Sequence, residues 1–326
     1  MNPTRLLAVE DLRVAFRADE GEALVVDGVS FSVEAGETLG IVGESGCGKS
    51  VSALAILGLI ADPPGRILSG SSVRLRGEEL LAVSPSRLRD VRGGEIATVF
   101  QEPMTSLNPV LRIGDQVAEA VRRHTEFRGG AVRDRVVALL DRVGIPDPAN
   151  RARAWPHQLS GGMRQRAMIA MALAGDPEIL IADEPTTALD VTIQAGILGL
   201  LDELRRERNL ALVLISHDLG VVAQVADRVA VMYAGRVVEE GPSTRLFSAP
   251  AHPYTVGLVR STPDPDRPGD RLAAIPGSVP SPNAWPPGCR FHPRCAVALD
   301  RCRQDDPSLM PAPATRAACW LLEDGR

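Results

Sequence analysis

Apolar and polar positions along the chain change period from one stretch to the next, and each change predicts an element. Between residues 6 and 33 they alternate in short runs, Leu12-Arg13-Val14-Ala15-Phe16 and Val29-Ser30-Phe31-Ser32-Val33. That pattern predicts antiparallel strands separated by a turn at Asp19-Glu20-Gly21. Residues 38–42 make a short apolar strand, and the apolar run 51–60 reads as a helix. After a turn at Asp62-Pro63-Pro64-Gly65, residues 70–81 return to strand-like alternation. Residues 95–100 form another short apolar strand, which runs into Gln101-Glu102-Pro103. From about 105 to 159 the period becomes helical, with apolar residues three and four apart over 113–123 and 131–143. Asp147-Pro148 and Trp155-Pro156 break this stretch, which reads as a helical insertion between two strands of a parallel sheet. The apolar runs 178–182 and 210–215 are buried strands. Beyond Phe247 prolines crowd the chain at Pro250, Pro253, Pro263, Pro265, Pro268, Pro276, Pro280, Pro282, Pro286 and Pro287, so regular helices are not expected there.

Between the strand 38–42 and the helix that follows lies Gly43-Glu44-Ser45-Gly46-Cys47-Gly48-Lys49-Ser50, a phosphate-binding P-loop pattern in the strand–loop–helix context it requires. Glycines let the backbone fold around phosphate with N–H groups aimed inward at a helix N-terminus, where the dipole favours anions. Lys49 then reaches the terminal phosphates as a point charge, the Ser50 hydroxyl binds Mg²⁺, and Val51 opens the helix. Lys49 is also the only lysine in the chain; every other Lys-or-Arg position is arginine. A planar guanidinium substitutes poorly for a compact ammonium in a phosphate cradle. The loop is read as an ATP site, with Phe16 a candidate to stack on the adenine ring.

With 326 residues there is room for one large domain and a smaller one. A net charge of −5 supplies no electrostatic footprint for nucleic acid. Aromatics make up 3% of the chain, too few for broad base-stacking surfaces. The first ten residues lack the long apolar core of a signal peptide, and no apolar run reaches the length of a membrane span. Work at a membrane would therefore need other subunits as anchors.

Three further motifs follow in order. Leu159-Ser160-Gly161-Gly162 precedes a predicted helix and resembles the signature of ATP-binding cassette (ABC) ATPases. Its small residues expose N–H groups and a hydroxyl at a helix N-terminus, a second anion site. Asp183-Glu184 closes an apolar strand at its carboxyl end, where α/β sheets bind ligands. Asp183 resembles the carboxylate that holds Mg²⁺ through water, and Glu184 the general base that polarises the attacking water. Ala188-Leu189-Asp190 resembles the loop by which paired cassettes sense each other. His217, after the strand 210–215, resembles the switch histidine that bridges the γ-phosphate and the catalytic glutamate. Gln101 stands where the family couples the nucleotide to the helical insertion and binds the metal through water.

The resemblance covers roughly residues 6–247. It implies an α/β fold: a P-loop NTPase ABC cassette with a RecA-like parallel sheet core, an antiparallel β subdomain and an α-helical subdomain at about 105–159. Residues 1–247 would be the nucleotide-binding domain and 248–326 a Pro-rich, Cys-containing C-terminal extension. Two cassettes would pair head to tail, so that Ser160, Gly161 and Gly162 complete the nucleotide site of the partner, with Asp190 in the loop that senses it. Residues 249–255 and 288–295, with Phe100-Gln101-Glu102-Pro103-Met104-Thr105-Ser106-Leu107-Asn108-Pro109, resemble a narrower family, the ATP-binding subunits of oligopeptide, dipeptide and nickel importers. That resemblance implies an ATPase coupled to import of peptides, or of nickel, glutathione or another small solute. It also implies a paralogous partner cassette, two transmembrane permease subunits, an extracytoplasmic solute-binding protein, and a peripheral position on the cytoplasmic face of the inner membrane. A soluble ABC ATPase is the alternative class, although such proteins usually carry two cassettes or long coiled-coil insertions.

Cys289, Cys295, Cys302 and Cys319 lie in the extension, apart from Cys47 of the P-loop. A cytosolic ATPase argues against disulfides. Structural zinc usually brings a closely spaced Cys pair, absent here, and four thiolates on an irregular segment suit an iron–sulfur cluster. An iron–sulfur cluster, zinc and unliganded thiols all stay open on the residues alone. The importer resemblance implies a 4Fe–4S cluster; His292, between Cys289 and Cys295, could ligate metal but is read first as a solvent-facing histidine.

Overall fold

The computed structural model describes residues 5–18, 21–102, 106–187, 189–262 and 274–323. Asp19 and Glu20 of the expected turn, Pro103, Met104 and Thr105, Ala188, and Pro263, Pro265 and Pro268 lie outside the described residues. The strands that bear on the site are, in chain order, β1 (Arg5–Ala18), β2 (Gly21–Glu34), β3 (Thr38–Val42), β4 (Gly65–Ile67), β5 (Ser72–Leu75), β6 (Glu78–Glu79) and β7 (Ile96–Val99). They continue with β8 (Ile179–Asp183), β9 (Ala211–Ser216), β10 (Arg228–Tyr233), β11 (Arg236–Pro242), β12 (Met310–Pro311) and β13 (Arg316–Ala317). The chain forms two compact units, one of Met1–Leu81 with Leu214–Arg326, the other of Ala82–Val213.

In the first unit β1 and β2 pair antiparallel, as their alternation predicts, with register shifts that bend this long ribbon. β4 and β5 pair antiparallel with β1. β3 is buried at all five positions and pairs parallel with β10, which its apolar Leu39, Ile41 and Val42 suit on both faces. The helix after the P-loop runs Lys49–Ile56, starting two residues before the apolar run 51–60 and ending four residues short of it. It stops because Leu57 leaves the helical region and Gly58 has a φ of +59°.

β11 pairs antiparallel with β10 and also with β13, which in turn pairs with β12. Residues after Phe247 are thus stitched to the same sheet that carries β3. Contrary to the expectation from its prolines, the stretch beyond Phe247 contains a regular helix, Pro253–Ser261. Pro253 occupies its first turn, where a missing N–H costs nothing, and no proline follows until the helix has ended.

His252 caps that helix, its Nδ1 accepting from Tyr254 N at 3.0 Å, and is 1% exposed. Buried Glu239 holds the approach, accepting from Ala251 N at 2.8 Å, His252 N at 2.9 Å and Thr315 Oγ1 at 2.8 Å. Burial pushes the His252 imidazole down from 6.5 to about 4. The native state keeps it neutral while the unfolded chain protonates it, so its contribution is intact above about 6.5 and is lost as pH falls toward 4. Wild-type protein should lose about 2 kcal/mol more unfolding free energy than His252→Asn between pH 7.5 and 5. Parallel pH profiles in urea unfolding would refute this.

In the second unit β7 and β8 pair parallel, and β8 is buried throughout. The helices Ile113–His124 and Gly130–Arg142 match their predicted periodicity. Gln116 is buried on the first of them and fully engaged: Oε1 accepts from Asn108 N, and Nε2 donates to the carbonyls of Asn108 and Leu111. Helix Pro85–Gly94 has no counterpart in the sequence reading, because Val91 is its only buried residue and it presents no apolar stripe. Ser84 and Pro85 start it, the serine hydroxyl accepting from Arg87 N at 3.2 Å. Among the described residues no helix is long and apolar enough to cross a membrane.

Candidate functional site

The P-loop leaves the end of β3 and belongs to the first unit. Gly43 is fixed by close approach: a Cβ there would lie 2.2 Å from the Met232 carbonyl oxygen and 2.8 Å from Cys47 Sγ. Gly48, with φ at +102°, turns the chain into the helix. Lys49 is 5% exposed, and its ammonium donates to the carbonyls of Gly43 at 2.7 Å and Glu44 at 3.0 Å. The loop's own backbone therefore aims the chain's single lysine. Ser45 and Gly46 face solvent, while Ser50 and Val51 at the helix start are half-buried. Cys47 is wholly buried, and burial pushes its thiol up, so it is a small packing residue and a poor nucleophile.

Phe16 is half-buried on β1, opposite Ala23 and Gly65, with its ring where a Cβ on Gly65 would meet it at 2.7 Å. His217 follows β9 and is exposed, directly before Asp218, which caps helix Leu219–Val225 by accepting from Val221 N.

The acidic pair belongs to the second unit. Asp183 ends β8 and is 7% exposed. Glu184 has a φ of +47°, a left-handed conformation that costs a non-glycine residue and concentrates at functional positions. Its Oε2 accepts from Gln101 Nε2 at 3.1 Å and from Thr187 Oγ1 at 2.8 Å. Two residues far apart in sequence thus meet on one carboxylate oxygen. Thr187 was not among the sequence candidates; its place three residues after Glu184 in a turn was the available signal.

Ser160 caps helix Gly161–Ala172, accepting from Met163 N at 3.3 Å. Ser160 and Gly161 are exposed, whereas Gly162 is buried, with Ile193 at 2.8 Å from where a Cβ would stand. Asp190 caps helix Val191–Arg208, accepting from Ile193 N at 2.9 Å. The signature and the loop before this second helix therefore pack on each other, while Ser160 and Gly161 stay open to solvent.

Comparison with known proteins decides what this arrangement belongs to. Residues 26–187 match the ABC transporter family, and residues 238–302 match the oligopeptide/dipeptide transporter C-terminal region. The dipeptide transport ATP-binding protein DppD of Escherichia coli K12 is 51% identical over 98% of this chain and 98% of its own. The oligopeptide transport ATP-binding protein AppD of Bacillus subtilis is 48% identical over 98% of this chain and 97% of its own. A Brucella abortus chain whose name assigns peptide import provisionally is 55% identical over 93% of this chain and 90% of its own. The protein belongs to the ABC transporter ATP-binding family.

Among solved structures, the ATP-binding cassette MJ0796, a dimer in a post-hydrolysis state bound to ADP and Pi, aligns with a TM-score of 0.65 and 28% identity. The alignment spans 73% of this chain and 98% of that cassette. This ABC ATPase accordingly has the cassette fold.

Beyond Phe247, Cys289, Cys295, Cys302 and Cys319 form no disulfide, and the last two are buried. Burial pushes Cys319 up to about 11, and charge on any of the other three would raise it further. Cys289 is raised by burial and then by Cys302 and Cys295, and its N–H donates to the Cys302 carbonyl at 2.9 Å. The four sulfurs therefore lie within electrostatic reach of one another. Among the described residues no three His, Cys, Asp or Glu side chains converge closely enough to hold a single metal ion. Deprotonated, four such cysteines are soft thiolate donors of the kind that both zinc and iron–sulfur clusters take. His292 is half-buried, its Nδ1 2.9 Å from the Cys289 carbonyl oxygen.

Proposed function

We propose that this ABC ATPase is the ATP-hydrolysing subunit of an importer of di- or oligopeptides. The observation that carries the reading is the joint presence of a cassette and a C-terminal region of the oligopeptide/dipeptide transporter type in one chain. Residues 1–247 act as the nucleotide-binding domain and 248–326 as the importer-type extension. It works on the cytoplasmic face of the inner membrane, bound to two permease subunits and a paralogous cassette, with a solute-binding protein outside.

Within the reaction Lys49 neutralises the terminal phosphates and the P-loop N–H groups cradle them. Ser50 would hold Mg²⁺ through its hydroxyl, and Asp183 and Gln101 would hold it through water; the bound metal would supply positive charge beside the phosphates. Glu184 accepts the proton of the attacking water, held in place by Gln101 and Thr187. His217 contacts the γ-phosphate, and Phe16 stacks on the base. Ser160, Gly161 and Asp190 act on the nucleotide of the partner cassette, which the exposure of Ser160 and Gly161 supports. Gly162 lets the signature helix pack against Ile193. Cys289, Cys295, Cys302 and Cys319 hold a 4Fe–4S cluster, which supplies cross-linking to a proline-rich segment with little core of its own.

The test is to isolate the complex anaerobically from membranes by this subunit, reconstitute it with its binding protein, and measure ATP hydrolysis. Dipeptides, longer peptides, glutathione and nickel are supplied in turn, and iron, acid-labile sulfide and zinc are assayed on the same sample. One peptide class should stimulate hydrolysis, with about four irons and four sulfides per chain. Stimulation by nickel or glutathione alone would replace the cargo. Absence of membrane subunits with no response to any solute would make it a soluble ATPase. Zinc in place of iron would remove the cluster.

A further inference from the structure

Glu44, the second residue of the P-loop, is held at two points, and both holding groups come from beyond Phe247. Its backbone N–H donates to the Tyr254 hydroxyl at 2.9 Å. Its carboxylate is gripped by both terminal nitrogens of Arg294, at 2.6 and 2.9 Å. The Arg294 side chain is only 5% exposed and Glu44 is 30% exposed, so the pair is largely shielded from solvent. Two parallel N–H···O bonds fix direction as well as distance.

On its other side Glu44 meets the catalytic lysine, because the Lys49 ammonium donates to the Glu44 carbonyl. Arg294 itself lies in a tight turn bounded by two of the four cysteines. His292 N donates to the Cys289 carbonyl, Arg294 N to that of Phe291, and Cys295 N to that of His292. Phe291, inside this turn, packs against Tyr254 with ring centroids 5.4 Å apart and against Tyr233 at 5.3 Å. A continuous set of contacts therefore leads from the Cys289–Cys295 turn through Arg294 and Glu44 to Lys49.

We propose that Arg294 is a positioning residue for the P-loop, through which the arrangement of the Cys289–Cys295 turn sets the affinity of the site for ATP. The extension is then part of the nucleotide site's support, not an appendage to it. The proposal rests on the reading of the P-loop as the ATP site.

The experiment is a mutant cycle in ATP affinity, read by titration with a fluorescent ATP analogue on the full chain, with hydrolysis measured in parallel. Wild-type binding comes first, since a wild type that binds no nucleotide refutes the ATP-site reading itself. Arg294→Ala and Glu44→Gln should each weaken ATP binding about tenfold, and the double variant should be no worse than either, while Arg294→Ala changes kcat at saturating ATP little. Arg294→Lys, which keeps charge but loses the paired contact, should fall between wild type and Arg294→Ala. Cys295→Ser should weaken binding when Arg294 is present and add nothing when it is Ala. Unchanged affinity, additive losses, or an equal effect of Cys295→Ser in both backgrounds would overturn the proposal. If Arg294→Ala does not fold, Arg294→Lys with Glu44→Gln carries the same cycle.

Discussion

Glu184→Gln should bind ATP as tightly as the wild type and hydrolyse it at least 10²-fold more slowly, about the contribution of a positioned general base. The replacement keeps the shape and can still meet Thr187 Oγ1 and Gln101, both now 2.8 and 3.1 Å from the same carboxylate oxygen. What disappears is the capacity to take a proton. Because binding survives, ATP should hold the variant closed against its partner cassette, and a stable pair should appear on size exclusion of the two together with ATP and not with ADP. The residue's left-handed backbone, at φ +47°, is unchanged by the substitution, so the loss is chemical and not conformational. Undiminished turnover would remove Glu184 from the base's role.

The second large effect is expected in binding. Lys49→Arg should lower ATP affinity by about 10²-fold, the order of losing a charge-assisted contact to phosphate in a dry site. Lys49 is almost wholly buried, with carbonyl acceptors at 2.7 and 3.0 Å and Cys47 Sγ 3.7 Å away. A planar guanidinium is broader than the ammonium and cannot keep both contacts without pushing the loop open. Nucleotide titration measures the loss, and thermal unfolding without nucleotide should stay near the wild-type value. Wild-type affinity in the variant would contradict the cradle geometry.

Much of this fold was legible because its signals are local. The strand 38–42 needed only an unbroken apolar run, and the helices at Ile113–His124 and Gly130–Arg142 only a repeat of three and four. Helix Pro85–Gly94 was illegible for the matching reason, having one buried residue and no stripe. Helix Pro253–Ser261 was hidden by the prolines around it, although the proline within it stands at its first turn.

The nucleotide site divides along the same line. Sequence alone determined the ATP-binding loop, its lone lysine, the acidic pair at the end of a buried strand and the signature motif, because each is a contiguous string whose chemistry follows from neighbouring residues. Tertiary structure decided which distant groups hold those strings in place. Gln101 and Thr187 meet on Glu184, Gly162 packs against Ile193, and Tyr254 and Arg294 reach back to Glu44 from 210 and 250 residues away. No local pattern encodes such pairs. A hydrogen bond between residues so far apart in sequence exists only once chain folding has closed the loop between them, and that closure is a property of the whole packing.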